Sequence, residues 1–177
     1  MARPQGVHPS KASYKNKIMK YYLIAGEASG DLHGSKLMRA LKKKDPNADF
    51  RYYGGDKMQS EGGVLVRHFR DTAVMGFINV ALNLRKILSN IEFCKKDLKE
   101  YAPDVLILID YPGFNLKIAE YAKEKLGLRV VYYIPPKIWA WKEHRVEQIK
   151  KYVAKLSKGQ LDPEDLLKLS ENYLTNR

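Results

Sequence analysis

The chain alternates short, uniformly apolar runs with longer stretches of mixed polarity. Tyr21 to Ala25 (YYLIA) is an apolar run closed by Gly26, and Val105 to Ile109 (VLILI) has no polar position at all. Runs without a wet face belong to strands covered on both sides, as in a parallel sheet. Phe50 to Tyr53 before Gly54-Gly55, Val64 to Val66 after Gly62-Gly63, and Val130 to Ile134 read as three further strands. Between them the spacing becomes helical. Leu37, Met38 and Leu41 lead into Lys42 to Lys44, cations suited to a helix C-terminus, and Asp45-Pro46 stops the helix. Phe77 to Glu100 is long enough for one broken helix or two, and Phe114 to Leu126 forms another with Gly127 behind it. Strand, helix, strand order of this kind predicts a Rossmann-like, doubly wound α/β domain with a mainly parallel sheet.

The flanks differ from this middle. Residues 1–18 combine Pro4, Gly6, Pro9, Ser10 and Ser13 with basic side chains and little apolar surface, which predicts a disordered basic extension. Residues 154–177 read as a helical tail, because Leu161, Asp162, Pro163, Glu164, Asp165 and Leu166 supply a staple residue, cap, first-turn proline, early acids and staple partner. Residues 19–153 remain as the globular domain. The single Cys94 offers no internal disulfide, and a chain of 177 residues needs none, since it buries roughly 70% of its unfolded surface by the usual scaling. His8, His33, His68 and His144 are scattered, so no metal site is expected. No apolar run approaches the roughly 20 residues that span a bilayer, and no apolar segment follows the basic start as a secretory signal requires. The expected compartment is the cytosol. A net charge of +12 suits anionic partners: nucleic acid, phosphorylated ligands or acidic lipid. Without stacking motifs of the RNA-binding kind, nucleic acid is the weakest of the three.

Four segments carry candidate chemistry. The first is Gly26-Glu27-Ala28-Ser29-Gly30-Asp31-Leu32-His33-Gly34, between the first strand and first helix, where open α/β sheets place ligands. Ala28 stands where the dinucleotide fingerprint wants its second glycine. The segment is either a tight turn with Asp31 as a cap, or a loop whose Glu27, Ser29 and Asp31 bind a hydroxyl-rich ligand. Asp110 ends the strand VLILI ahead of Tyr111-Pro112-Gly113-Phe114-Asn115. A carboxylate there is partly desolvated at a crevice mouth, as a general base requires, or else it only receives backbone N–H bonds from the turn. Pro135-Pro136-Lys137-Ile138-Trp139-Ala140-Trp141 makes a rigid wall for a sugar face or acyl chain, or a packing cluster at the domain edge. Val74 to Leu82 is apolar on nearly every helical face, which fits contact with lipid or a partner, or a fully buried helix.

Taken together, Gly26 to Asp31, Gly54-Gly55 with Met58 and Glu61-Gly62, Ala73 to Gly76, Pro103 to Val105, Ile109 to Leu116 and Trp139 to Trp141 resemble the lipid-A-disaccharide synthase family, in order from Met19 to Tyr152. The resemblance implies a GT-B-type, inverting, metal-independent glycosyltransferase without a cofactor, peripheral on the cytoplasmic face of the Gram-negative inner membrane. Its substrates would be UDP-diacylglucosamine and diacylglucosamine 1-phosphate, and a homodimer is compatible with it. Asp110 would be the catalytic base on the acceptor's 6-hydroxyl. Glu27, Ser29, Gly30 and Asp31 would line the cleft, with Met75, Gly76, Asn115 and Trp139 as further substrate-binding residues. This chain has Gly113 where the family often has an aspartate, which puts the weight on Asp110. After Tyr152 the family continues into a second domain holding most of the UDP site, so this stretch alone is not expected to transfer sugar. A non-catalytic α/β module that holds an anionic lipid or sugar phosphate is the alternative.

Overall fold

The computed structural model describes residues 18–72, 80–134 and 155–156. In chain order they form β1 (Lys20–Ala25), α1 (Ala28–Lys44), β2 (Asp49–Gly54), α2 (Asp56–Ser60), β3 (Val64–His68), α3 (Phe69–Thr72), α4 (Val80–Tyr101), β4 (Val105–Ile109), α5 (Pro112–Leu126), β5 (Arg129–Ile134) and β6 (Lys155–Leu156). The strands build one sheet in the order β3-β2-β1-β4-β5-β6. Every pairing in it is parallel. The predicted doubly wound α/β class is the class observed, and the two-residue β6 carries the sheet into the segment that the sequence pattern assigns to the tail.

Alternation along the central strands explains the two layers of helix. Tyr21, Leu23 and Ala25 of β1, with Val105, Ile107 and Ile109 of β4, face Leu37, Met38 and Leu41 of α1 in one core. Tyr22 and Ile24, with Leu106 and Leu108, face Ile91, Cys94 and Leu98 of α4 and Phe114, Ile118, Ala119 and Ala122 of α5 in the other. Both sides of β1 and β4 are therefore dry, as the uniformly apolar runs require. The α4 residues recur at helical spacing, which turns one stripe of that helix to the sheet. Gly127 closes α5 in the left-handed conformation, its N–H bonded to the Ala122 carbonyl.

Two differences from the sequence pattern are instructive. Helix α1 begins at Ala28, so most of the glycine-rich segment is helix and not loop. A Cβ on Gly34 would stand 2.6 Å from the Met58 sulfur of α2 and 3.2 Å from Ile109, so glycine there serves close packing of α1 on α2 and on the sheet. The short helices α2 and α3 have too few residues for periodicity to reveal them.

The second core holds a polar network. The Tyr22 hydroxyl donates to Asp97 Oδ2 at 2.7 Å, Arg51 Nε donates to the same oxygen at 2.9 Å, and a second Arg51 N–H donates to Oδ1. It pins α4 to β1 and β2. Cys94 lies in the same core, where burial pushes its thiol from an ordinary value of 9.0 up to about 12. Burial also raises the phenols of Tyr22, Tyr53 and Tyr101.

Ionised forms of these groups are disfavoured in the fold but not in the unfolded chain, so their contribution is complete below about pH 9 and is lost as the pH rises towards 12. The urea midpoint is expected to fall progressively above pH 9, and Cys94 to resist alkylation by iodoacetamide at pH 8.5 until the protein unfolds. A flat midpoint between pH 9 and 11, or rapid alkylation of native protein, would contradict the burial of this thiol.

Candidate active site

The sheet order reverses between β1 and β4, because the chain runs from β1 outward to β2 and β3 on one side and from β4 to β5 and β6 on the other. Segments leaving the C-terminal ends of two such strands diverge and leave a crevice between them. Ala25 and Ile109 are register partners, so Gly26-Glu27 and Asp110-Tyr111 leave the sheet side by side. The N-terminal ends of α1 and α5 both open here, a favourable setting for an anion.

On the β1 side, Glu27 is the extended N-cap of α1 and makes no side-chain capping bond to the helix backbone. Its carboxylate instead accepts a hydrogen bond from the Ser29 hydroxyl, and both residues are exposed. Gly30 and Asp31 lie beneath them. Gly30 faces Ala25, whose Cβ would be 3.2 Å from a Cβ placed on the glycine.

Asp31 is only 3% exposed. Its Oδ1 accepts the N–H groups of Gly55 at 2.7 Å and Met58 at 3.0 Å, and its Oδ2 accepts that of Lys57 at 3.0 Å. Its carboxylate thus caps α2, not the helix it belongs to. Three backbone donors occupy it, so its place is behind the crevice wall.

On the β4 side, Asp110 and Tyr111 are consecutive non-glycine residues with φ of 49° and 52°. Left-handed backbone is unfavourable for side chains of this kind. Asp110 is half-buried, its N–H donates to the Ile134 carbonyl at 2.8 Å, and its own carbonyl accepts from Tyr132 Oη at 2.7 Å and Asn115 Nδ2 at 2.6 Å. The Tyr111 ring stacks on Phe114 with centroids 5.1 Å apart, and it fills the space where Gly26 would carry a Cβ. Burial raises the Tyr111 phenol above its ordinary range. Asn115 is fully buried, so its amide serves the Asp110 backbone and does not reach the crevice.

The β1–β4 register thus brings the segment Gly26-Glu27 beside Asp110-Tyr111 and Gly30 against Ile109, with Asp31 and Asn115 buried. Met75, Gly76 and Trp139, and the greater part of the apolar stretch Val74 to Leu82, lie outside the described residues. Tyr111 and Tyr132 have no place among the sequence-derived candidates. Position next to Asp110 is a signal for Tyr111, whereas nothing in the pattern VVYYI marks the Tyr132 hydroxyl.

The fold is shared with solved structures. MurG of Acinetobacter baumannii superposes with a TM-score of 0.52 at 12% identity, covering 78% of this chain and 40% of that one. UDP-GlcNAc 2-epimerase of Neisseria meningitidis, solved with UDP-GlcNAc, gives 0.54 at 12% identity over 87% and 43%. The likeness shows the fold class, a Rossmann-like α/β unit with a mainly parallel sheet. Residues 21–157 match the family model described as lipid-A-disaccharide synthetase. Lipid-A-disaccharide synthase of Trichlorobacter lovleyi is 45% identical over 131 residues, which are 74% of this chain and 34% of the relative. That of Coxiella burnetii is 42% identical over 131 residues, 74% and 35%. The chain belongs to the lipid-A-disaccharide synthetase family. It spans about a third of the length of the curated relatives it matches.

Two glycines at the site should respond oppositely to alanine. Gly26→Ala drives a methyl into the Tyr111 ring and is expected to cost about 1–3 kcal/mol. Gly113, in the first turn of α5, has open space where a methyl would stand, with no atom within 4 Å, and Gly113→Ala is expected to stabilise by about 0.5–1 kcal/mol. Urea unfolding of both variants checks the pair, and a neutral Gly26→Ala would contradict the packing of Tyr111 on that residue.

Proposed function

We propose that this α/β unit forms the acceptor side of lipid-A disaccharide synthesis and that Asp110 is its general base. The observation that supports the reading is the half-buried Asp110 on a left-handed turn at the sheet reversal, on the segment that leaves the sheet next to Gly26-Glu27. The acceptor is diacylglucosamine 1-phosphate, and the donor is its UDP-linked counterpart. Asp110 removes the proton from the acceptor's 6-hydroxyl as that oxygen bonds to the donor's anomeric carbon. The bond from that carbon to the diphosphate breaks with inversion, and UDP departs with the electron pair. Glu27 and Ser29 hold sugar hydroxyls, and Gly30 lets α1 start close to the sheet. Asp31 and Asn115 act from behind, by fixing α2 and the Asp110 turn. Met75, Gly76 and Trp139 remain proposed contacts of the acceptor.

Calorimetry of the chain with diacylglucosamine 1-phosphate in detergent micelles tests this. Asp110→Asn is expected to weaken binding about fivefold or more, through loss of a charge-assisted hydrogen bond, while the melting temperature stays within about 2 °C. Unchanged affinity would remove Asp110 from the acceptor site. A large melting loss would favour the purely structural role.

A diacylated substrate has to be met at a lipid surface, and α4 supplies a suitable face. Leu84 and Leu88 are 55% and 50% exposed. They lie one helical turn apart with the exposed cation Arg85 flanking them on the helix surface, a pairing suited to an anionic bilayer interface. Among the described residues, no helix is long and apolar enough to cross a membrane. We read this face as the peripheral contact with the inner membrane. Replacing Leu84 and Leu88 by serine should weaken sedimentation with phosphatidylethanolamine and phosphatidylglycerol vesicles by about tenfold, and leave stability within about 0.5 kcal/mol. Undiminished sedimentation would place the contact elsewhere.

A further inference from the structure

The two side chains that hold Asp110 in place never reach the crevice themselves. We propose that Tyr132, together with Asn115, is a positioning residue for Asp110: their donors clamp the Asp110 carbonyl and keep the Asp110-Tyr111 turn left-handed. The inference rests on the reading of Asp110 given above.

Consecutive left-handed residues with side chains persist only where the surroundings over-determine them. Here both backbone groups of Asp110 are held. Its N–H is tied to Ile134 at 2.8 Å, and its carbonyl takes two donors, Tyr132 Oη at 2.7 Å and Asn115 Nδ2 at 2.6 Å. Strand β5 is shaped for this. Tyr132 pairs with Leu108 and Ile134 with Ile109, so Tyr133 is an extra residue at a bulge. The bulge lets one strand supply the acceptor for the Asp110 N–H and a donor for its carbonyl, and bulges of this kind re-aim groups next to active sites.

Neither side chain is explained by packing. Tyr132 is fully buried, and a phenylalanine would fill nearly the same volume without a hydroxyl. Asn115 is also fully buried, yet its Oδ1 has no hydrogen-bond partner among the described residues. An amide that leaves one end unpaired in the core is costly, and the other end, donating to Asp110, offsets that cost.

A double-mutant cycle on the whole chain tests the proposal, with diacylglucosamine 1-phosphate in micelles as the probe. Tyr132→Phe is expected to weaken binding about three- to tenfold when Asp110 is present and to add nothing in an Asp110→Asn background. Equal weakening in both backgrounds would overturn the proposal, because a general loss of core order is indifferent to the side chain at 110. Nuclear Overhauser spectra supply the second measurement. Positive φ brings a residue's amide and α protons close, and the strong intraresidue signal of Asp110 is expected to fall in Tyr132→Phe and again in Asn115→Leu. An unchanged signal in both variants would overturn the clamp. If Asp110→Asn itself leaves binding intact, the functional reading fails, and these spectra alone still decide whether Tyr132 and Asn115 hold the turn.

Discussion

Five register pairs between β1 and β4, from Tyr21 opposite Val105 to Ala25 opposite Ile109, set where everything else in the molecule stands. Parallel pairing brings both C-terminal ends to the same edge, and the crossover between these strands lets the chain leave in opposite directions. The crevice follows from that connectivity before any side chain is considered. Helix α1 covers one face of the pair and α4 with α5 the other. Neither strand therefore has a wet side, and neither can slip by a residue without turning its whole apolar set to the wrong layer.

A sheet so thoroughly buried would be expected to carry aliphatic side chains alone, yet Tyr21, Tyr22, Tyr52, Tyr53 and Tyr132 are among its largest fully buried residues. Two of their hydroxyls tie elements of the interior together. Tyr22 and Arg51 meet on Asp97, and Tyr132 reaches the Asp110 carbonyl. Such contacts add modestly to stability when complete and cost heavily when broken. Their service is specificity: Asp97 permits one position of α4 against β1 and β2, where a purely apolar face would tolerate several.

Legibility in the sequence divides along physical lines. The bounds of β4 are readable because VLILI has no polar residue and Pro103 precedes it. The end of α5 is readable because Gly127 adopts the left-handed conformation that glycine tolerates best. Asp110 stands out by position, as a carboxylate at the end of a buried strand. The start of α1 is easily mistaken because Gly30 and Gly34 look like loop punctuation, when Gly30 serves close approach to Ala25 and Gly34 close approach to Met58 and Ile109. The partners of Asp31 are hidden, since the amides of Gly55, Lys57 and Met58 are more than twenty residues away along the chain. Long-range bonds to backbone leave no periodic trace, which is also why the pattern gives no sign of Tyr132.

That Asp31 carboxylate joins the first turn of α1 to the start of α2, while the Tyr111 ring wedges the neighbouring turn against Gly26. Three departures from the sheet edge are thereby fastened to one another. A ligand entering the crevice meets a wall whose ordering entropy was expended during folding, so little of its own interaction energy is consumed in organising the protein. Discrimination at such a wall depends on how well the ligand's shape and hydroxyls fit a fixed template, and binding here should resemble a key entering a cut lock more than a hand closing on an object.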